Sequence, residues 1–150
     1  MTTLNETHDA NLTSWVASAN AEGAGFPVQN LPYAVFRRRG SQEAFRPGVA
    51  IGDRILDLAA LAELQVFEGQ AGAALAACTA DSLNPLMALG RAHWSALRLA
   101  LSRALRSGAA LQARLEPLLV AQAEAEYTTP ARIGDYTDFY VGIHHAMHVG

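Results

Sequence analysis

Hydrophobic and polar positions change their period along this chain, and the changes mark its elements. Residues 31–38 place Tyr33, Val35 and Phe36 in a strand-like run, which Pro32 confines to an edge or to an opening position. Arg46-Pro47-Gly48 reads as a turn. Beyond it, Val49-Ala50-Ile51 and Arg54-Ile55-Leu56-Asp57 flank Gly52-Asp53, a two-residue hairpin turn in which glycine supplies the positive φ. Short strands so closely spaced predict a small antiparallel sheet or barrel. From Leu58 the period turns helical, with Leu58, Leu61, Ala62 and Leu64 recurring behind Asp57 as the cap. The alanine- and glycine-rich residues 65–80 form a loop or weak helix. Asn84 as cap and Pro85 at the first helical position then start a short helix ending near Gly90. Residues 91–106 carry the clearest helix, with Trp94, Leu97, Leu101, Ala104 and Leu105 on one stripe and Ser107-Gly108 as the stop. A third helical piece, 109–115, ends before Pro117. Glu116-Pro117 reads as a domain boundary, and Tyr127-Thr128-Thr129 as a strand ended by Pro130. The first 25 residues are mixed polar and small. They are expected to fray, with a short helix near 12–19 anchored by Trp15.

Composition narrows the function. A chain of 150 residues with a 51% hydrophobic and 17% charged share can bury a core and is not disordered. Net charge is -3, and the one basic run, Arg37-Arg38-Arg39, reads as a solvated strand edge that discourages pairing. Nucleic-acid binding is not expected without a basic stripe. All 11 basic residues are arginine, which excludes a Schiff-base or P-loop lysine within these residues. Cys78 is alone in an alanine-rich run with no base nearby, so it reads as a buried thiol and not as a nucleophile. With no apolar leader, no membrane-length run and no internal disulfide, a cytoplasmic protein without membrane contact is expected.

Candidate chemistry gathers in residues 133–150, IGDYTDFYVGIHHAMHVG. Read as extended, 135–140 puts Tyr136, Asp138 and Tyr140 on one side and Phe139 on the other, toward a core. A helix is expected to start near Val141 and carry His144, His145 and His148. An acid between two phenols, followed by imidazoles, suits a site that binds a hard cation and moves a proton. An unpaired carboxylate between aromatics is costly, so Asp138 is expected to meet a cation. His144 and His148 lie four apart, a spacing able to hold a transition metal, but two imidazoles are too few ligands. Both are read as structural. His145, about 100° round the helix from His144, is the candidate proton acceptor facing back toward Asp138. Asp135 reads as a turn residue. Asp53 and Asp57 are read as turn residue and helix cap, not as a catalytic pair. His8 and His93 read as surface and partly exposed residues.

These residues resemble a family. Ile133-Gly134-Asp135-Tyr136-Thr137-Asp138-Phe139-Tyr140, with His145-Ala146 and Val149-Gly150, looks like the opening of the catalytic domain of fumarylacetoacetases. Phe26-Pro27-Val28-Gln29-Asn30-Leu31-Pro32-Tyr33, the stretch from Gly48 to Leu58, and Leu86-Met87-Ala88-Leu89-Gly90 before Trp94 match in the same order. The resemblance implies an α+β chain. A small SH3-like antiparallel β-barrel with attendant helices would span residues 1–117. The first strand and helix of a mixed-β catalytic domain would occupy 118–150. It further implies a homodimeric enzyme that hydrolyses a carbon–carbon bond of a diketo acid, fumarylacetoacetate, giving fumarate and acetoacetate in tyrosine breakdown. In that pattern Asp138 binds Ca2+ or Mg2+, Tyr140 contacts substrate and His145 activates water. The family's remaining metal carboxylates, lysine, arginine and acidic partner for the histidine are expected after residue 150. This chain departs from the family at Met147-His148 and at Tyr127-Thr128-Thr129-Pro130. Two readings follow: the N-terminal part of a fumarylacetoacetase, inactive by itself, or a stand-alone interaction module derived from one. A hydrolase of acylpyruvates is a weaker third, since such enzymes commonly lack a comparable N-terminal domain.

Overall fold

Five short strands pair antiparallel in the order β4-β3-β2-β1-β5, where β1 is Tyr33–Arg38, β2 Arg46–Ile51, β3 Arg54–Asp57, β4 Leu119–Ala121 and β5 Ala125–Thr128. This is a computed structural model, and it describes residues 4–150; Met1, Thr2 and Thr3, part of the stretch expected to fray, lie outside the described residues. The β2–β3 hairpin forms in the expected register, Ile51 opposite Arg54, around Gly52 at φ 56°. A Cβ on Gly52 would come within 2.3 Å of Ser18 Oγ and 2.6 Å of the Ala19 nitrogen, so both the backbone angle and the close approach require glycine there.

Three expectations about the strands change. Arg46-Pro47-Gly48 is not a turn but the first half of β2: Pro47 faces Val35 of β1, and the β3 ladder begins only at Gly48, so the missing proline N–H interrupts nothing on that side. The arginine run does not guard an edge. β1 is interior, and Arg37 and Arg38 lie opposite Glu126 and Ala125 of β5, with Arg37 Nε 2.5 Å from Glu126 Oε1. Opposite charges directly across a ladder favour pairing, and the sequence separation of 89 residues hid that partner. Finally, the expected barrel does not close. No ladder joins β4 to β5 among the described residues, and these three- and four-residue strands are the two edges.

The sheet is nonetheless curled. A flat five-stranded sheet would hold its edge strands about 19 Å apart. The connection from Ala121 to Ala125 spans at most about 14 Å. The two edges must therefore bend toward one another. Inside the bend lies a small buried cluster, Phe36, Ile55, Val120 and Ala125, over which the Arg46 guanidinium sits 5.0 Å from the Phe36 ring. Val120 and Ala125 follow Pro117, so residues on both sides of Glu116-Pro117 share one sheet and one buried cluster.

The opposite face of the sheet buries the larger core. Val35, Val49, Ile51 and Leu56 meet α1 (Leu58–Glu63), α2 (Gly69–Ala76) and α4 (Arg91–Leu105) through Leu58, Leu61, Leu75, Leu97, Leu101 and Leu105. Asp57 caps α1, accepting from the Ala60 N–H at 3.1 Å, as its position before the helical run predicts. The alanine-rich stretch is a helix, α2. Its small side chains let it lie close against α4, and Cys78 is buried behind it. Trp94 heads the α4 stripe but is 43% exposed, its indole N–H donating to the Leu86 carbonyl at 2.7 Å. The short helices α3 (Asn84–Ala88) and α5 (Gln112–Leu115) complete the layer. Residues 4–25 are not frayed. Ser14 Oγ donates to the Leu105 carbonyl at 2.6 Å and Trp15 Nε1 to that of Ala104 at 2.9 Å, so the N-terminal arm caps the exposed end of α4. Its local structure is two short 3₁₀ turns, Glu6–His8 and Ala17–Asn20, where a helix near 12–19 was expected.

Candidate active site

After β5 the chain leaves the sheet, and residues 129–142 take no regular structure until α6 (Ile143–Val149) begins. Three contacts with the segment that precedes and opens α3 hold the departure point. The Leu83 N–H donates to the Pro130 carbonyl at 2.8 Å. Asn84 accepts from the Arg132 N–H at 2.8 Å and donates to the Arg132 carbonyl at 3.1 Å. The Arg132 guanidinium reaches Asp81 at 2.6 Å. Asn84 was expected as a helix cap; it is instead the first residue of α3, behind Leu83, with Pro85 next. Its amide is occupied by a residue 48 positions away, which no local pattern could announce.

Residues 135–140, expected as a strand, take no regular structure and join no ladder, and Phe139, expected in a core, is 72% exposed. The physical reason is the lack of a neighbour: a strand needs a ladder on at least one side, and among the described residues the sheet ends at β5. The helix is where the sequence placed it. Gly142 precedes it without a side-chain cap, and the Ala146 and Gly150 N–H groups bond back to the Gly142 and Ala146 carbonyls, both at 3.0 Å.

The candidate residues are all on the surface, and the tyrosines link them in pairs. Tyr136 donates from Oη to Asp138 Oδ2 at 3.2 Å. The Tyr140 and His145 rings lie 5.3 Å apart at a tilt of 40°. Asp138 and His145 are thus each engaged by a phenol, and no hydrogen bond joins one to the other among the described residues. His148 spends Nδ1 on the His144 backbone carbonyl at 3.0 Å, so its imidazole acts within its own helix. Asp135 is exposed. Among the described residues no three His, Cys, Asp or Glu side chains gather as a metal-binding group. The Asp138 carboxylate is the right kind of donor for a hard cation. It offers one or two of the roughly six to eight oxygens such an ion takes, so these residues fit part of a cation shell and do not complete one.

Elsewhere the titratable groups have structural work. The Ser18 hydroxyl donates to Asp53 at 2.5 Å and, with Arg54 nearby, holds that carboxyl below its ordinary range. Burial pushes the Cys78 thiol up to about 12, so it stays protonated and unreactive at neutral pH. No helix among the described residues is long and apolar enough to cross a membrane.

The family model described as "Fumarylacetoacetase N-terminal" matches residues 29–130, from the approach to β1 to the proline at the departure point. The fumarylacetoacetase of Oryza sativa subsp. japonica is 40% identical over 136 residues, covering 87% of this chain and 32% of that protein. That of Caenorhabditis elegans is 43% identical over 137 residues, 86% of this chain and 31% of the relative. That of Bos taurus is 43% identical over 140 residues, 87% of this chain and 32% of the relative. The chain spans about a third of the length of these relatives. Matched over most of its length, it belongs to the fumarylacetoacetase family by that family's N-terminal portion.

Proposed function

We propose that these residues are the N-terminal part of a metal-assisted fumarylacetoacetase, which hydrolyses the carbon–carbon bond of fumarylacetoacetate to fumarate and acetoacetate. The observation that carries this reading is the family match over 29–130, followed directly by the segment bearing Asp138, Tyr140 and His145. In this reading the body that carries the five-stranded sheet is the N-terminal domain, and the segment bearing Asp138, Tyr140 and His145 opens the catalytic one. The complete polypeptide is a cytoplasmic homodimer that acts on a small diketo acid and needs neither nucleic acid nor membrane.

Each residue has a role suited to its chemistry. Asp138 supplies a carboxylate ligand to Ca2+ or Mg2+, the remaining ligands coming from other parts of the polypeptide. When bound, the cation stabilises negative charge developing on the departing enolate. Tyr140 has a phenol O–H free to donate to a substrate carbonyl or carboxylate. Water is a poor nucleophile, and the His145 imidazole takes its proton as the general base. The packing of Tyr140 against His145, 5.3 Å between ring centroids, supports a substrate contact beside the base. The ligand count limits what the 150 residues do alone: one carboxylate does not retain a hard cation against water.

The test compares the complete polypeptide with residues 1–150 in a fumarylacetoacetate hydrolysis assay. Turnover by the complete polypeptide, abolished by chelation, and none by residues 1–150 is the expected result. In addition, millimolar Mg2+ or Ca2+ should leave the melting temperature of residues 1–150 unchanged. Turnover or a cation-dependent melting shift by residues 1–150 alone overturns this division of labour, and no turnover by the complete polypeptide overturns the function.

A further inference from the structure

Among the described residues, the segment carrying Asp138, Tyr140 and His145 makes only local hydrogen bonds. Tyr136 serves Asp138, His148 serves the His144 carbonyl, and the rest close turns of α6. Among the described residues, the last hydrogen bonds tying it to the folded body are those at Pro130 and Arg132. They are unusual in form. One side chain, Asn84, fills both the donor and the acceptor of a single residue's backbone, as a neighbouring strand would. This two-point contact fixes the rotation of the chain at residue 132 as well as its position. A single exposed ion pair such as Asp81–Arg132 would hold neither firmly. An asparagine at a helix start ordinarily spends its side chain on its own helix's N–H groups; here it is turned outward to the departing chain.

We propose that Asn84, supported by Asp81, is a positioning clamp that sets the direction in which the site-bearing segment leaves the N-terminal sheet. Its catalytic consequence rests on the function proposed above. Asn84 touches none of the reacting groups. It acts through the backbone of Arg132, three residues before Asp135 and six before Asp138. A catalytic segment entered at the wrong angle places base and cation ligand imperfectly, and misplacement of about 1 Å can lower turnover by about a hundredfold.

The experiment uses the complete polypeptide with Asn84→Ala, and with Asn84→Asp, which keeps the acceptor for the Arg132 N–H and loses the donor. Backbone hydrogen exchange of Arg132 should quicken about tenfold in Asn84→Ala, as expected for loss of a net-stabilising bond to that amide. Turnover number should fall about tenfold with KM within about twofold, the pattern of a lost transition-state alignment and not of lost substrate binding. Asn84→Asp should fall between wild type and Asn84→Ala, and the melting temperature should stay unchanged. Unaltered exchange at Arg132 overturns the clamp. Faster exchange with unaltered turnover overturns its role in positioning, as does a loss of turnover that merely follows a lowered melting temperature. If the wild-type polypeptide does not hydrolyse fumarylacetoacetate, the functional reading fails and the exchange comparison alone decides the clamp.

Discussion

Replacing Asp57 should separate two contributions that this one side chain makes to the N-terminal fold. Oδ1 accepts from the Ala60 N–H at 3.1 Å and starts α1, while Oδ2 accepts from Arg46 Nε at 2.5 Å, with both groups largely buried. Losing an N-cap costs about 1 kcal/mol. Removing one partner of a buried ion pair costs about 3–5 kcal/mol when the other charge is stranded. Arg46 is not wholly stranded here: its guanidinium also reaches Glu43 at 3.1 Å and lies over the Phe36 ring. We therefore expect Asp57→Ala to cost about 3 kcal/mol in total, below the sum of the two terms. Asp57→Asn keeps a good cap and loses only the charge, so it should cost about 2 kcal/mol. For a chain of this length, about 2–4 °C of melting temperature follows each kcal/mol, giving a fall of about 6–12 °C for Asp57→Ala. Thermal melts followed by circular dichroism, paired with urea titrations, measure both variants. Equal losses for Asn and Ala would mean that the cap contributes nothing. A loss below about 1 kcal/mol for Asp57→Ala would refute the assignment of a buried, coupled pair.

Three further outcomes follow from the packing and the charges. Gly48→Ala should destabilise by about 1–3 kcal/mol in a urea titration, because a Cβ there would meet Ile55 Cγ2 at 2.5 Å and Phe36 Cε1 at 2.6 Å in the curled face of the sheet. Adding Ile55→Ala should recover part of that loss, and strictly additive costs would contradict the contact. Cys78 should react with a thiol reagent only as fast as the chain opens, since its thiol is buried and pushed up to about 12; rapid labelling of the native protein would contradict its burial. Asp53, held below its usual range by Ser18 and Arg54, stabilises the folded state above the ordinary carboxylate range and loses that contribution as pH falls through its lowered folded value. Asp53→Asn should therefore flatten the loss of stability below about pH 4 relative to wild type, and an identical pH profile would refute the link.

What the sequence made legible was local. The Gly52-Asp53 hairpin, the Asp57 cap and the stripe of α4 each depend on neighbours within a few residues, and each formed where its pattern placed it. The misreadings share one cause, a distant partner. Arg37 looked like an edge guard until Glu126 came to lie across from it. Pro47 looked like a turn because the register that tolerates it is set by β3 and β1 together. Asn84 looked like a cap because its actual partner is Arg132. The helix of the candidate site was legible from its spacing, but the expected strand before it was not realised, since a segment becomes a strand only beside another one.

One comparison in the complete polypeptide tests these roles most directly: hydrolysis of fumarylacetoacetate and bound divalent cation, measured together for wild type, His145→Ala and Asp138→Ala. We expect His145→Ala to abolish turnover while keeping its cation, and Asp138→Ala to lose both. Near wild-type turnover in His145→Ala, or undiminished cation content in Asp138→Ala, would contradict the roles assigned to these two side chains.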